Sequence, residues 1–427
     1  MSTFQPYDII HIDIYKLTYL QLPADNSHGK YFVCWYKSIA LGDFYIEPGQ
    51  ELNAEEFRNG VIAAIAPTLK LYQRGKNEAS LGWPEWLIKN QPKDWAGQIE
   101  NILSYLFADD LPKSVPISVV ICTRNRPGPL MKCLQSIDRS TVQPEEIIVI
   151  DNAPSDDSTF NVVSKFEKVI HLREPKAGLS NARNTGIKNA GKSIIAFTDD
   201  DVLVDPLWAY RLWKSFQDER VVAMTGLVIT SCLDTEAQYI FEKHWSFNRG
   251  YIGKIYDKTY FESNLKIGPP VWQIGAGANM AFRKSVFKEL GNFNEFLGAG
   301  ASGCSEDSEM WFRILAKGYK IIYEPKAITF HEHRKEMKSL KSQVFNYMRG
   351  FAVAALMQQR QLNEAAYKKH LFRRMPRYYF SLLLKGFPLY KKQFQTLGVE
   401  IQGLLSGIRY YQKHFSRLVK SIGKKYE

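Results

Sequence analysis

The chain has 427 residues, 45% hydrophobic and 23% charged, which excludes a disordered chain and gives length for two or three domains of about 100–200 residues each. Lys and Arg exceed Asp and Glu by 12, a surplus that fits nucleic acid, an anionic membrane or a phosphorylated substrate until it is located along the chain. Five scattered cysteines with no CxxC pair exclude a disulfide framework and a zinc ribbon, and point to a reducing compartment.

Met1–Pro6 carries no basic leader segment. No apolar run approaches the ~18–20 residues that cross a bilayer, Phe351–Met357 being typical of the longest. A cytoplasmic protein, peripheral on the inner membrane face at most, is expected. Residues 1–112 read as an α+β accessory domain with strand-like runs Tyr31–Tyr36 and Gly42–Ile46, a Trp/Pro-rich stretch Trp83–Trp95 and a linker at Ala108–Pro116. They hold no chemistry-bearing motif, and their role stays open.

In residues 113–334 short β-branched runs alternate with helical stretches. Ile117–Cys122, Ile147–Ile150, Val169–Leu172 and Ser193–Phe197 are the predicted strands, and Leu130–Ile137, Gly178–Asn189 and Leu207–Phe216 the predicted helices. That order predicts an α/β domain with a mostly parallel, Rossmann-like sheet flanked by helices. Ligands of such sheets bind beyond the carboxyl ends of the strands. There stand Thr123-Arg124-Asn125-Arg126, Asp151-Asn152 and Thr198-Asp199-Asp200-Asp201. Three consecutive carboxylates repel one another by on the order of 1 kcal/mol per contact. They therefore read either as ligands of a hard divalent ion, Mn2+ or Mg2+, or as a solvated turn capping the next helix.

A second acidic site follows the glycine-rich Gly298–Gly303. On a helix, Asp307 shares a face with the apolar Met310, Trp311, Ile314 and Leu315. It reads as a capped structural acid or as a general base aimed at a cleft. His331-Glu332-His333 lacks the HExxH spacing of a zinc protease, since Lys335 stands where the second His would be. Gly275-Ala276-Gly277-Ala278-Asn279-Met280 comes too late in the domain to be a dinucleotide fingerprint and reads as a close backbone approach to a ligand.

Taken in order, six segments resemble glycosyltransferase family 2: Ser118–Arg126, Ile148–Asn152, Gly178–Asn184, Thr198–Asp201, Gly277–Phe282 and Ser305–Asp307. The resemblance covers about residues 115–335. It implies a GT-A fold and an inverting, metal-dependent transfer from a nucleotide-diphospho-sugar. It also implies roles: Thr123, Arg124, Asp151, Arg183, Asp199 and Asp200 at the nucleotide, with Asp151 on the base; Asp200 and Asp201 at the metal, joined by His331; Gly277, Ala278, Asn279 and Glu306 at the sugar and acceptor; and Asp307 as catalytic base. The expected acceptor is a saccharide or lipid-linked saccharide in surface-polysaccharide assembly. A sugar-phosphate nucleotidyltransferase and a non-catalytic nucleotide-sugar-binding module are the alternatives; the first needs no base such as Asp307, and the second needs neither Asp307 nor Asp199–Asp201.

Residues 335–427 hold 19 Lys and Arg against 4 Asp and Glu, net +15, leaving residues 1–334 at net −3. Apolar residues recur at 394, 397, 401, 404, 408, 411, 415, 418 and 422, an amphipathic helical stripe. Met337, Leu340, Val344 and Met348 make a second. Gly398, Gly403 and Gly407 each cost about 1 kcal/mol of helix propensity and argue against a free-standing coiled coil. Three readings stand open: packing on the catalytic domain, attachment to anionic lipid through residues 335–427, and self-association into a homo-oligomer. No motif supports nucleic acid.

Overall fold

A computed structural model describes residues 4–16, 20–21, 27–73, 83–89, 92–107, 110–386 and 392–421. Ala108 and Asp109 of the expected linker, and Ile422 of the apolar stripe, lie outside these.

Two sheets form. The smaller joins β1 (Tyr7–Asp13), β2 (Gly29–Tyr36) and β3 (Ile39–Ile46), with β1 parallel and β3 antiparallel to β2. Helix Ala54–Gln73 covers it through Phe57, Val61, Ile65 and Leu69, spaced by four residues so that all fall on one buried face. Its opposite side packs on the larger domain: Tyr7 stacks on Tyr239, and Trp35 and His11 meet Phe330. Tyr31, Val33 and Trp35 join the same hydrophobic core as Leu227, Ile229 and Ile328.

The larger sheet contains β4 (Ser114–Thr123), β5 (Gln143–Asn152), β6 (Val169–Glu174), β7 (Ile194–Asp199), β8 (Val202–Val204), β9 (Val221–Thr230), β10 (Lys254–Tyr256), β11 (Asn279–Arg283) and β12 (Lys320–His331). Its order is β10-β12-β9-β11-β7-β4-β5-β6, with β8 paired to β12. The predicted runs lie inside β4 to β7, which are mutually parallel. Their β-branched residues are buried because helices cover both faces. Strand β11 enters antiparallel between β7 and β9. Since β5 lies on one side of β4 and β7 on the other, a crevice opens at the carboxyl ends of β4 and β7. Register places Cys122 opposite Asp199 and Thr123 opposite Asp151 there.

The C-terminal region is helical and packs on this domain. Helix Met337–Gln361 buries Leu340, Val344 and Met348. Helix Leu397–Lys413 lies along it at backbone contact distance. A Cβ on Gly403 would sit 2.5 Å from the Phe345 carbonyl oxygen, and one on Gly407 2.4 Å from that of Arg349. These two glycines therefore let the helices touch, which is why a costly residue recurs there. Leu397 and Leu404 of the stripe are buried in the contact. This part of the stripe is thus turned to protein, while Phe415 further along it is exposed. Among the described residues no helix is long and apolar enough to cross a membrane.

Candidate active site

The crevice widens into a cavity of about 1530 Å³ lined from four directions. The strand ends supply Thr123, Arg124, Arg126, Asn152 and Asp199–Asp201. A turn before β11 supplies Gly275–Ala278, helix Glu306–Ala316 supplies Glu306 and Asp307, and helix Met337–Gln361 closes the far side with Lys338, Ser342, Asn346 and Tyr347.

The three acids are held separately. Thr123 Oγ1 donates to Asp200 Oδ2 at 2.6 Å, and Arg126 bonds Asp200 Oδ1. Arg126 Nη2 reaches Asp201 Oδ2 at 2.8 Å. Burial pushes the Asp200 carboxyl up to about 7 although Arg126 works against it. Both Asp200 oxygens are thus engaged by protein. Asp201 keeps Oδ1 for another partner, and that partner is His331, whose Nε2 lies 3.5 Å away.

The protonation of His331 follows from its neighbours. Burial pushes it down to about 4, so the ring is neutral at pH 7. Glu242 Oε2 lies 2.8 Å from His333 Nε2, and His333 Nδ1 lies 3.0 Å from His331 Nδ1. With the carboxylate accepting from His333 Nε2, His333 Nδ1 is left to accept from His331 Nδ1–H. His331 Nε2 then turns a lone pair toward the Asp201 carboxylate. Two acceptors facing each other at 3.5 Å do not bond, but they suit two ligands of one ion at ~2.1 Å each. The residues present thus fit a divalent cation at Asp201 and His331, an open site that leaves its other positions to substrate oxygens. Among the described residues no three acids, His or Cys converge into a closed site.

Arg183 is 2% exposed, and it pairs with Glu306 at 2.5 Å and Asp199 at 3.5 Å and donates to the Gly277 carbonyl. Its guanidinium is engaged by protein at the floor of the cavity, where it braces Glu306 and Asp199. Glu306, expected at the acceptor, is the buried partner of that brace. Asn279 is likewise held by protein: it is fully buried, with Trp208 Nε1 donating to its Oδ1 at 2.9 Å and its Nδ2 donating to the Leu227 and Ala327 carbonyls. Its side-chain amide is thus satisfied by helix Trp208–Ser215 and the sheet, and it ties β11 to its neighbours. Gly277 and Ala278 do line the cavity, and a Cβ on Gly277 would stand 2.7 Å from Arg183 Nη2. Asp151 is wholly buried beside His171, and its Oδ1 has no partner among the described residues. Asn152 lines the cavity in its place.

Asp307 stands apart from the other acids. Ser305, in the left-handed conformation at φ +73, turns the chain into helix Glu306–Ala316. Glu306 goes inward to Arg183, and Met310, Trp311, Ile314 and Leu315 pack into the core, Trp311 stacking on Phe282. Asp307 lines the cavity, and among the described residues its side chain accepts hydrogen bonds from Ser308 alone. Among the described residues no cation pairs with it. Residues unassigned from the sequence also face the cavity: Arg126, Phe247, Arg249 and Trp272. Arg126 lies in the same strand-end run as Thr123 and Arg124, so position could have flagged it; the others carry no local signal.

The α/β sheet thus turns its acidic strand ends toward a helix-borne carboxylate across an open cleft. Residues 118–291 match the model of Glycosyl transferase family 2. The glycosyltransferase GlyA of Streptococcus pneumoniae serotype 4 is 27% identical over 153 residues, 35% of this chain and 21% of that protein. The pre-mycofactocin glycosyltransferase of Mycobacterium tuberculosis is 24% identical over 231 residues, 53% and 45% of the two chains. The O-antigen chain rhamnosyltransferase RfbN of Salmonella typhimurium is 25% identical over 228 residues, 51% and 66%. The chain thus spans less than two thirds of the length of these relatives. The mannosyltransferase PcManGT of Pyrobaculum calidifontis, solved with GDP-Man and Mn2+, covers 85% of this chain and 87% of its own at 15% identity and a TM-score of 0.40.

Proposed function

We propose that the protein transfers a sugar, with inversion, from a nucleotide-diphospho-sugar to a hydroxyl of a saccharide or lipid-linked saccharide during polysaccharide or glycan assembly. The carrying observation is the cavity itself, with a cation-held acid cluster at the strand ends and Asp307, without a cation, on another wall. Arg124 and Arg126 line the cavity as donors for a diphosphate, and Asn152 lines it at the end of β5 as a donor for the nucleotide. Asp307 accepts the proton of the acceptor hydroxyl as its oxygen bonds to the anomeric carbon. The bond from that carbon to the diphosphate breaks on the opposite face, and the nucleoside diphosphate leaves with the electron pair. A divalent ion held by Asp201 and His331 would supply charge stabilisation to the departing diphosphate. Arg183 pairs with Glu306 and Asp199, which leaves Asp307 as the cavity acid on helix Glu306–Ala316 with no cation among the described residues.

A panel of nucleotide-sugars scored for thermal stabilisation and Mn2+-dependent turnover tests the class. A donor that stabilises and turns over supports it, and no response to any donor overturns it. Asp307→Asn should abolish transfer while nucleotide binding survives; turnover near that of the parent enzyme would remove Asp307 as base.

A further inference from the structure

The basic surplus has a specific address on the surface. Between Glu364 and Glu400 the chain has no Asp or Glu and eight Lys or Arg. Within it, residues 367–386 run through a helical turn, a wide turn at His370–Arg374 and helix Met375–Gly386. Leu371 and Tyr379 anchor this segment in the core. The remaining side chains sort into rows at four-residue spacing. His370, Arg374 and Tyr378 form one row along the cavity mouth. Lys369, Arg373, Arg377 and Lys385 follow a second, and all four are exposed. Phe372, Pro376, Phe380 and Leu384 form a third, with Phe372 53%, Phe380 63% and Leu384 63% exposed.

Exposed aromatic and leucine side chains in a row cost solvation free energy unless something covers them. The neighbouring cationic row selects what does. We infer that residues 367–386 seat the protein on an anionic lipid bilayer, with Phe372, Phe380 and Leu384 in the acyl boundary and Lys369, Arg373, Arg377 and Lys385 among the headgroups. An interfacial helix needs this pairing of an apolar ridge with a basic flank. A nucleic acid would use the charges but leave Leu384 and Pro376 in water. The row of His370, Arg374 and Tyr378 belongs to the same segment, so seating it brings the cavity mouth to the lipid surface. There an acceptor carried on a lipid could enter sideways. That last step rests on the glycosyl-transfer reading; binding to the bilayer does not.

The full chain is sedimented with vesicles of phosphatidylcholine, with and without phosphatidylglycerol, at low and high salt and without any donor. Sedimentation with the anionic vesicles that weakens with salt is expected. Phe380→Ser/Leu384→Ser and Arg373→Glu/Arg377→Glu should each lower it about tenfold, with an unchanged urea unfolding midpoint as the check on folding. The inference is overturned if the parent protein stays in the supernatant, if both double variants sediment like the parent, or if single-stranded RNA displaces the protein from vesicles in proportion to its charge. Because no donor is present, failure here leaves the transfer reading standing, and failure of the donor panel leaves this one standing.

Discussion

Replacing Arg183 by Met separates a strut from a ligand contact. Arg183 lies beneath the cavity with its guanidinium 2.5 Å from Glu306 and 3.5 Å from Asp199, all within a protein environment. Unit charges about 4 Å apart at an effective dielectric of about 20 attract by about 4 kcal/mol. Removing one partner of a buried pair costs about 3–5 kcal/mol, because the other charge is left uncompensated. Here two carboxylates would lose their counter-charge and repel each other. Arg183→Met should therefore lower unfolding free energy by about 3–5 kcal/mol in urea. Glu306→Gln in the same background should return a good part, giving a coupling of at least about 2 kcal/mol in a double-mutant cycle. A direct nucleotide contact predicts the reverse pattern, a raised donor KM with unchanged stability. Additive single effects, or a donor KM defect at unchanged stability, would refute the strut.

Gly407→Ala should destabilise by about 1–3 kcal/mol, because its Cβ would meet the Arg349 carbonyl at 2.4 Å, whereas Gly398→Ala, with nothing within 4 Å, should stabilise by up to about 1 kcal/mol; urea midpoints that rise for both would remove the helix contact. Burial holds His331 neutral down to about pH 4, so its contribution is present above the ordinary His value and is lost as pH falls toward 4, up to about 3 kcal/mol. Asp200, raised to about 7, contributes a slope of opposite sign, being stabilising at low pH. The measurement is therefore the stability difference between His331→Gln and the parent at pH 7 and pH 4.5, which should move in the variant's favour on acidification; a constant difference contradicts the burial argument. Glu242→Gln, which loosens the hold on His333 and through it on His331, should weaken Mn2+ binding in the presence of a nucleoside diphosphate by about 10–100-fold by calorimetry, and unchanged affinity would sever that chain.

The strand-end acids could be read from the sequence because runs such as Ile147–Ile150 end abruptly in polar residues, and a parallel sheet turns such ends toward one crevice. The packed face of helix Glu306–Ala316 was legible for a similar reason: a period of 3.6 residues fixes which side chains lie together. Direction across the fold was not legible. Arg183, Glu306 and Asn279 sit in recognisable motifs, yet whether each points to ligand or to protein depends on partners more than 45 residues away in sequence, such as Ala327 and Glu306. Gly403 and Gly407 were legible as a cost but not as a contact, since the compensating carbonyls belong to another helix. Phe247 and Arg249 reach the cavity from a segment with no pattern of its own.

That last segment ties the two sheets together. Asp43 of β3 accepts hydrogen bonds from Tyr31, from Tyr251 at 2.6 Å and from Asn248 at 3.1 Å, so the stretch carrying Phe247 and Arg249 is moored to the N-terminal sheet. The region that defines the family begins at residue 118, but the cooperative folding unit does not. A fragment beginning there would lose Tyr31 and Trp35 from its core, expose Phe330, and release the mooring of a cavity wall. Evolutionary kinship and mechanical integrity are divided differently along this chain, and exchanging the family segment between relatives would carry over the chemistry without the frame that shapes it.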